Sequence, residues 1–217
     1  MGASAALASE SDELRERQWV AAARNGDPEA FRRIVEIYEG RLFTFLLRMV
    51  KHHEEAEDLA QEAFVRVWRH LEAYDTQRSF RTWLFSIARN LALDVLRRPR
   101  AAIVSIEGGD DGEGPRVILA AADASPLEQA TVREQRRCLE QALEALTPRA
   151  AMVFTLFYQE NMRIAEIAQV TGMSAGAVKV TLHRAREMLK CKVRENSQLE
   201  TRDSEHRIVS RRRSESR

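Results

Sequence analysis

The chain reads as an all-α protein: two small helical domains, an N-terminal helix bundle and a C-terminal helix-turn-helix domain, joined by a flexible acidic linker. Three observations predict this. Apolar residues recur with helical period through both halves, and no period-2 alternation competes with them. Four of the nine glycines and three of the five prolines fall between Pro99 and Pro126, so backbone punctuation concentrates in one stretch. A glycine corner at Thr171-Gly172-Met173 then separates two short helical patterns near the end. The expected boundaries are 1–24 for a partly helical N-terminal segment, 25–98 for the first domain, 99–127 for the linker, 128–191 for the second domain, and 192–217 for a basic, disordered tail.

Taken in order, Ser11–Arg24 predicts a helix stopped by Asn25-Gly26. Asp27-Pro28 opens the next, an N-cap followed by proline at the first helical position. Its apolar stripe runs Phe31, Ile34, Val35, Tyr38, Leu42, Phe45, Leu46, Met49. A third helix over Glu54–Leu71 is expected to bury Ala56, Leu59, Ala60, Ala63, Phe64, Val67, Trp68 and Leu71. A fourth over Ser79–Arg98 is expected to bury Phe80, Trp83, Leu84, Ile87, Leu91 and Val95, with Pro99 after its end. Beyond the linker, Leu127–Leu146 is helical and Thr147-Pro148 starts another helix. Arg163–Val170, the Gly172 corner and Ser174–Lys190 complete a helix, a tight turn and a longer helix.

With 217 residues, the chain has room for one or two domains. Its 34 Lys/Arg against 33 Asp/Glu give a net charge of +1, and 44% apolar with 31% charged residues is a soluble globular composition. No apolar run reaches the ~20 residues that cross a bilayer, and the first residues lack the basic start of a secretory signal, so a cytoplasmic protein without membrane insertion is expected. Two cysteines, Cys138 and Cys191, build neither a disulfide framework nor a C-x-x-C metal site. Cys138 is expected to be buried and inert.

The near-zero net charge hides unlike parts. Residues 101–127 carry five carboxylates against one arginine, a net −4. Residues 174–194 carry six Lys/Arg against Glu187, a net +5, on the second helix after the glycine corner. The outer face of that helix presents Ala175, Gly176, Lys179, Val180, His183, Arg184 and Arg186, and Ser174 can cap it. A basic second helix fits the recognition role, its N-terminal part at base edges and its flanks on phosphates. An ordinary helical hairpin with a solvated basic face is the alternative. Residues 80–100 carry a net +4 with Phe80, Trp83 and Phe85 interleaved, a pattern that suits unpaired DNA. The aromatics serve equally as core; Phe80 and Trp83 fall on the apolar stripe, Phe85 off it. The polar loop Ala73–Ser79 has the chemistry to receive an extruded base. The outer face of the third helix holds Asp58, Gln61 and Glu62 within about one turn, which by itself is a charge complement to the helix dipole.

No catalytic set, cofactor or metal site is expected. His52-His53-Glu54-Glu55 reads as a polar helix junction, since adjacent residues do not share a helix face. Neither G-x-x-x-x-G-K-[ST] nor G-x-G-x-x-G is present to hold a nucleotide, and no small-molecule substrate is expected.

Asp58-Leu59-Ala60-Gln61-Glu62-Ala63-Phe64, followed by Phe80-Arg81-Thr82-Trp83-Leu84 and Ile87-Ala88-Arg89-Asn90, resembles the second conserved domain of bacterial sigma factors. Val178-Lys179 with Leu182-His183-Arg184-Ala185-Arg186-Glu187 is similar to their fourth domain. Two such domains meeting through a bare linker resemble the extracytoplasmic-function class. One departure is the Gln159–Arg163 stretch, which replaces a glycine-containing approach common in relatives before the first helix of the corner.

The resemblance implies a non-catalytic specificity subunit that recruits core RNA polymerase to stress-type promoters and melts them. It implies that Asp58, Gln61 and Glu62 bind the clamp coiled coil of the largest catalytic polymerase subunit. The −10 element would be contacted by Tyr74, Arg78, Phe85, Arg89, Asn90, Arg97 and Arg98. The −35 element would be contacted by Ser174, Ala175, Gly176, Lys179, Val180, His183, Arg184 and Arg186. An anti-sigma factor is the further partner it implies, and the linker would thread into the polymerase channel. That linker spans ~30 Å as a coil and up to ~90 Å extended, enough for two DNA elements ~70–85 Å apart. Two rivals are a stand-alone helix-turn-helix regulator with an N-terminal sensing or dimerisation domain, and an enzyme. The acidic face followed by Phe80–Leu84 argues against the first, and the lack of a pocket with perturbed titratable groups against the second.

Overall fold

The computed structural model describes residues 14–76, 78–98 and 137–192. The linker expected at 99–127, residues 127–136 of the helix expected there and the tail from 193 lie outside them. Eight α-helices and one 3-10 turn make up the described residues, with no strand among them. They are α1 (14–24), α2 (Pro28–Val50), α3 (His53–His70), the 3-10 turn Leu71–Ala73, α4 (Phe80–Arg97), α5 (137–144), α6 (Pro148–Tyr158), α7 (Ile164–Thr171) and α8 (175–192).

Local chemistry sets the boundaries. Gly26 adopts φ 90° after α1, and the backbone N–H groups of Glu29 and Ala30 donate to Asp27 Oδ1 at 2.9 and 3.2 Å. Lys51 ends α2 in the left-handed region, its N–H on Leu47 O at 2.8 Å. The histidine pair is the junction to α3: His52 is its N-cap, Nδ1 accepting from Glu55 N at 3.3 Å, while His53 lies edge-on to Phe43. Ser79 and Thr147 cap α4 and α6 in the same way.

The first four helices bury one core. Ile34, Tyr38, Leu42, Phe45 and Leu46 of α2 meet Ala56, Ala63 and Val67 of α3 and Leu84, Phe85 and Ala88 of α4, every one fully buried. Two expectations need correcting here. Trp68 is 42% exposed: at the end of α3 it has rotated off the buried stripe and rests on Phe31, ring centroids 4.8 Å apart. On α4 the buried face runs Phe80, Leu84, Phe85, Ala88, Leu91, Ala92, so Trp83, Ile87 and Val95 are only partly covered.

In the C-terminal unit α6 is apolar almost all round, and such a helix is buried on several sides. Ala150 and Ala151 join Ala142, Leu143, Leu146, Ala185 and Leu189 in a small core, and Cys138 on α5 is buried as expected. Met152, Val153 and Leu156 belong instead to the core of the first unit, which continues through Ile167 and Val170 to Val178 and Leu182. The two units therefore pack together, α6 on α2 and α7 on α4.

Candidate nucleic-acid interface

The helix-turn-helix corner forms as its residues dictate. Glu166 Oε2 accepts from Arg163 N at 2.7 Å at the start of α7, and Asn161 takes the left-handed conformation (φ 49°) that the glycine-free approach requires. Gly172 closes α7 at φ 66°, where a side chain would be strained. Thr171 Oγ1 donates to Ile167 O at 2.6 Å and accepts from Met173 N at 3.4 Å, and Ser174 Oγ accepts from Ala177 N at 3.2 Å.

Val178, Leu182, Ala185 and Leu189 turn α8 inward, so Ala175, Gly176, Lys179, Val180, His183 and Arg184 all lie exposed on its outer arc. Arg186 sits at the edge of that arc and is engaged elsewhere. Its Nε donates to Tyr158 Oη, and its guanidinium lies 5.5 Å from the Phe157 ring and 5.3 Å from the Tyr158 ring. Ser174 is held as a cap.

The residues expected at the −10 element separate into three groups. Asn90, Arg97 and Arg98 are exposed, Asn90 and Arg97 two turns apart on one face of α4 with Asp94 between them. Arg78 is exposed and pairs with Asp75 at 3.4 Å. Arg89 is half-buried, its Nη1 on Asn90 Oδ1 at 3.1 Å and its Nε buried without a hydrogen-bond partner; desolvation pulls its pKa below the usual arginine value.

Phe85 and Tyr74 are corrections. Phe85 is fully buried, edge-on to Phe45 (5.1 Å) and Tyr38 (6.5 Å), so its ring is core and cannot stack on a base. Tyr74 is 6% exposed and stacked on Trp83 at 4.8 Å; its hydroxyl donates to Arg78 O, and burial pushes its pKa up to about 12. Tyr74 thus braces the Ala73–Ser79 loop from behind instead of presenting a face to solvent. In front of the loop lies a groove of about 820 Å³, whose wall includes Arg17, Arg78, Arg81 and, from the C-terminal unit, Arg163 and Glu166.

Asp58 and Gln61 are exposed on α3 and Glu62 is half-buried, held by Arg66 Nε at 2.8 Å. Exposed Val65 and Trp68 continue this face at i+7 and i+10 from Asp58, giving an acidic strip with an apolar end. Sequence reading missed that end; the i, i+3 apolar pair beside three polar residues was its signal. Among the described residues no group of three or more His, Cys, Asp or Glu is placed to hold a metal ion, and no helix is long and apolar enough to cross a membrane.

A basic helix-turn-helix face and a second basic helix on a separate unit are the features of a DNA-binding protein. Residues 34–102 match the model of sigma-70 region 2, and residues 136–189 that of sigma-70 region 4. The chain is 30% identical over 185 residues to the ECF RNA polymerase sigma factor SigW of Bacillus subtilis, covering 84% of this chain and 99% of that one. It is 31% identical to the RNA polymerase sigma-H factor of Pseudomonas aeruginosa, covering 81% and 92%. Among solved structures, CnrH in complex with the cytosolic domain of CnrY superposes with a TM-score of 0.56 at 27% identity, covering 82% of this chain and 96% of that one. The chain belongs to the sigma-70 family, in its extracytoplasmic-function class. It is a promoter-recognising subunit of RNA polymerase, and sigma factors are not enzymes.

Proposed function

We propose that each surface serves one step of initiation. The α3 strip of Asp58, Gln61 and Glu62 docks on the clamp coiled coil of the largest catalytic polymerase subunit, with Val65 and Trp68 adding apolar contact. Arg78, Arg89, Asn90, Arg97 and Arg98 hold the non-template strand of the −10 element, and the Ala73–Ser79 loop receives an unpaired base. Ala175, Gly176, Lys179, Val180, His183 and Arg184 read the −35 element in the major groove, with Ser174 and Arg186 organising that helix. The observation that carries this reading is the exposed basic arc of α8 on a well-formed glycine corner.

The protein works in the cytoplasm with the polymerase, without catalysis or cofactor of its own. An anti-sigma factor is its third partner, as solved structures of the same fold hold a sigma factor in complex with one. The units fall at 25–98 and 128–191, joined by the acidic linker over 99–127. In-vitro transcription with core polymerase over a promoter pool tests the whole reading: enrichment of promoters sharing two spaced elements is expected, and initiation without sequence preference contradicts it.

A further inference from the structure

We propose that α1 belongs to the DNA-binding surface: it walls the groove in front of the Ala73–Ser79 loop, and Arg17 on that wall holds a phosphate of the strand whose unpaired base the loop receives. This inference rests on the assignment of the loop to the −10 element. α1 lies ahead of the stretch, 34–102, that matches sigma-70 region 2. It is nevertheless fixed along its length. Val20 and Ala23 turn into the core of the N-terminal unit. Near the start of the helix, Tyr38 Oη donates to Glu16 Oε2 at 2.7 Å from a ring that is fully buried. A buried hydroxyl without an acceptor is costly, so Glu16 is bound to this place. Arg41 lies 4.7 Å from the same ring, its Nε donating to Glu160 Oε2 at 3.0 Å. At the other end of α1, Arg24 Nε donates to Glu72 O at 3.1 Å, in the 3-10 turn that leads into the loop.

So anchored, α1 turns one edge to the groove. Of the charged groups that the N-terminal unit brings to that wall, Arg17, Arg78 and Arg81 are cations and Glu16 is the one carboxylate, already engaged by Tyr38. Arg163 and Glu166 of the other unit add one charge of each sign. Arg17 is exposed, yet its charge acts on the Tyr74 hydroxyl behind the loop: burial, Glu16 and Asp75 raise the Tyr74 pKa, and Arg17 opposes them.

This wall supplies what the loop lacks. Arg78, the cation of the loop itself, is paired with Asp75 at 3.4 Å. Arg97 stands at the far end of α4, ~25 Å of helix from Phe80 at ~1.5 Å per residue. A strand held along α4 therefore reaches the loop with its last phosphate uncovered, and Arg17 is the cation at that end of the groove. Ala21, one turn on, is small and exposed, which lets a sugar-phosphate backbone come close to the wall. An arginine there grips the strand whatever its sequence, since phosphates carry no base identity.

The test uses holoenzyme assembled from the full chain and core polymerase. Its probe is a fluorescent single-stranded oligonucleotide, the non-template −10 strand of the most enriched promoter in the pool, with one phosphate at a time replaced by a neutral methylphosphonate. In the parent, each phosphate that is held should show as a loss of affinity when neutralised. Arg17→Ala should weaken the unmodified oligonucleotide by about three- to tenfold and flatten its salt dependence by ~0.7 in log–log slope. It should also erase the methylphosphonate effect at one or two positions beside the base in the loop and leave the others intact. Arg97→Ala should erase a different set. Ala21→Glu, at an exposed site, should weaken binding with the melting temperature unchanged. Unchanged affinity and salt slope on Arg17→Ala would overturn the proposal. So would an equal effect at every phosphate, the mark of a diffuse field and not of a contact. If Arg78→Ala and Arg97→Ala also leave the phosphate map unaltered, the −10 assignment fails; if they alter it and Arg17→Ala does not, only the role of α1 fails.

Discussion

Phe85 shows how a single side chain decides between two accounts of one helix. Seen as a residue off the apolar stripe, it belongs with the arginines on a DNA face; in the fold its ring fills the space between Phe45 and Tyr38. Apolar residues on α4 occupy most of the circumference, so period alone left two stripes available, and only the position of α2 selects between them. Phe85→Ala is expected to destabilise the protein by about 3–5 kcal/mol in urea unfolding. It should lower duplex and pre-melted transcription equally after correction for folded fraction; selective loss on pre-melted templates at unchanged stability would restore Phe85 to the DNA face. Asn90, Arg97 and Arg98 were legible because small and charged groups on the outside of a helix need no tertiary information to be placed. Arg186 was not, since its partner Tyr158 lies 28 residues away and the sequence gives no sign that they meet.

At the scale of elements, most starts and stops were written in the chain. Asp27-Pro28, Ser79, Thr147-Pro148 and Ser174 each supply the oxygen that a helix N-terminus lacks, and Gly26 and Gly172 supply the left-handed turns. Helix faces were harder where an element ended, as at Trp68, because one residue of drift rotates a side chain by about 100°. Two predictions belong here. Charge reversal at Asp58 and Glu62 together should weaken core-polymerase binding by about tenfold in a titration with labelled core, while leaving the melting temperature near that of the parent. Unchanged co-purification with core would sink the docking face. Arg184→Glu, on the exposed arc of α8, should lower initiation on duplex promoters by about 1–3 kcal/mol of binding, with little effect on pre-melted templates that carry only the −10 element. Equal loss on both templates would contradict its place at the −35 element.

At the scale of the whole molecule the parts were legible and their arrangement was not. Arg41 and Glu160 are 119 residues apart, and nothing local to either announces the other. The one legible hint was α6, whose apolar residues run round the helix and so need more cover than its own small unit offers. Removing residues 192–217 should leave basal core-dependent initiation intact in vitro; loss of initiation on truncation would give the tail a part in the basic reaction. The doubled burial of α6 has a last consequence, for how long an idle copy survives. Once the units part, Met152, Val153 and Leu156 face water unless polymerase or another protein covers them. An uncovered apolar stripe is what chaperones and proteases select, so a copy whose units were parted would be marked for removal. The helix that joins the two units would in that case also set the lifetime of a copy that lost their contact.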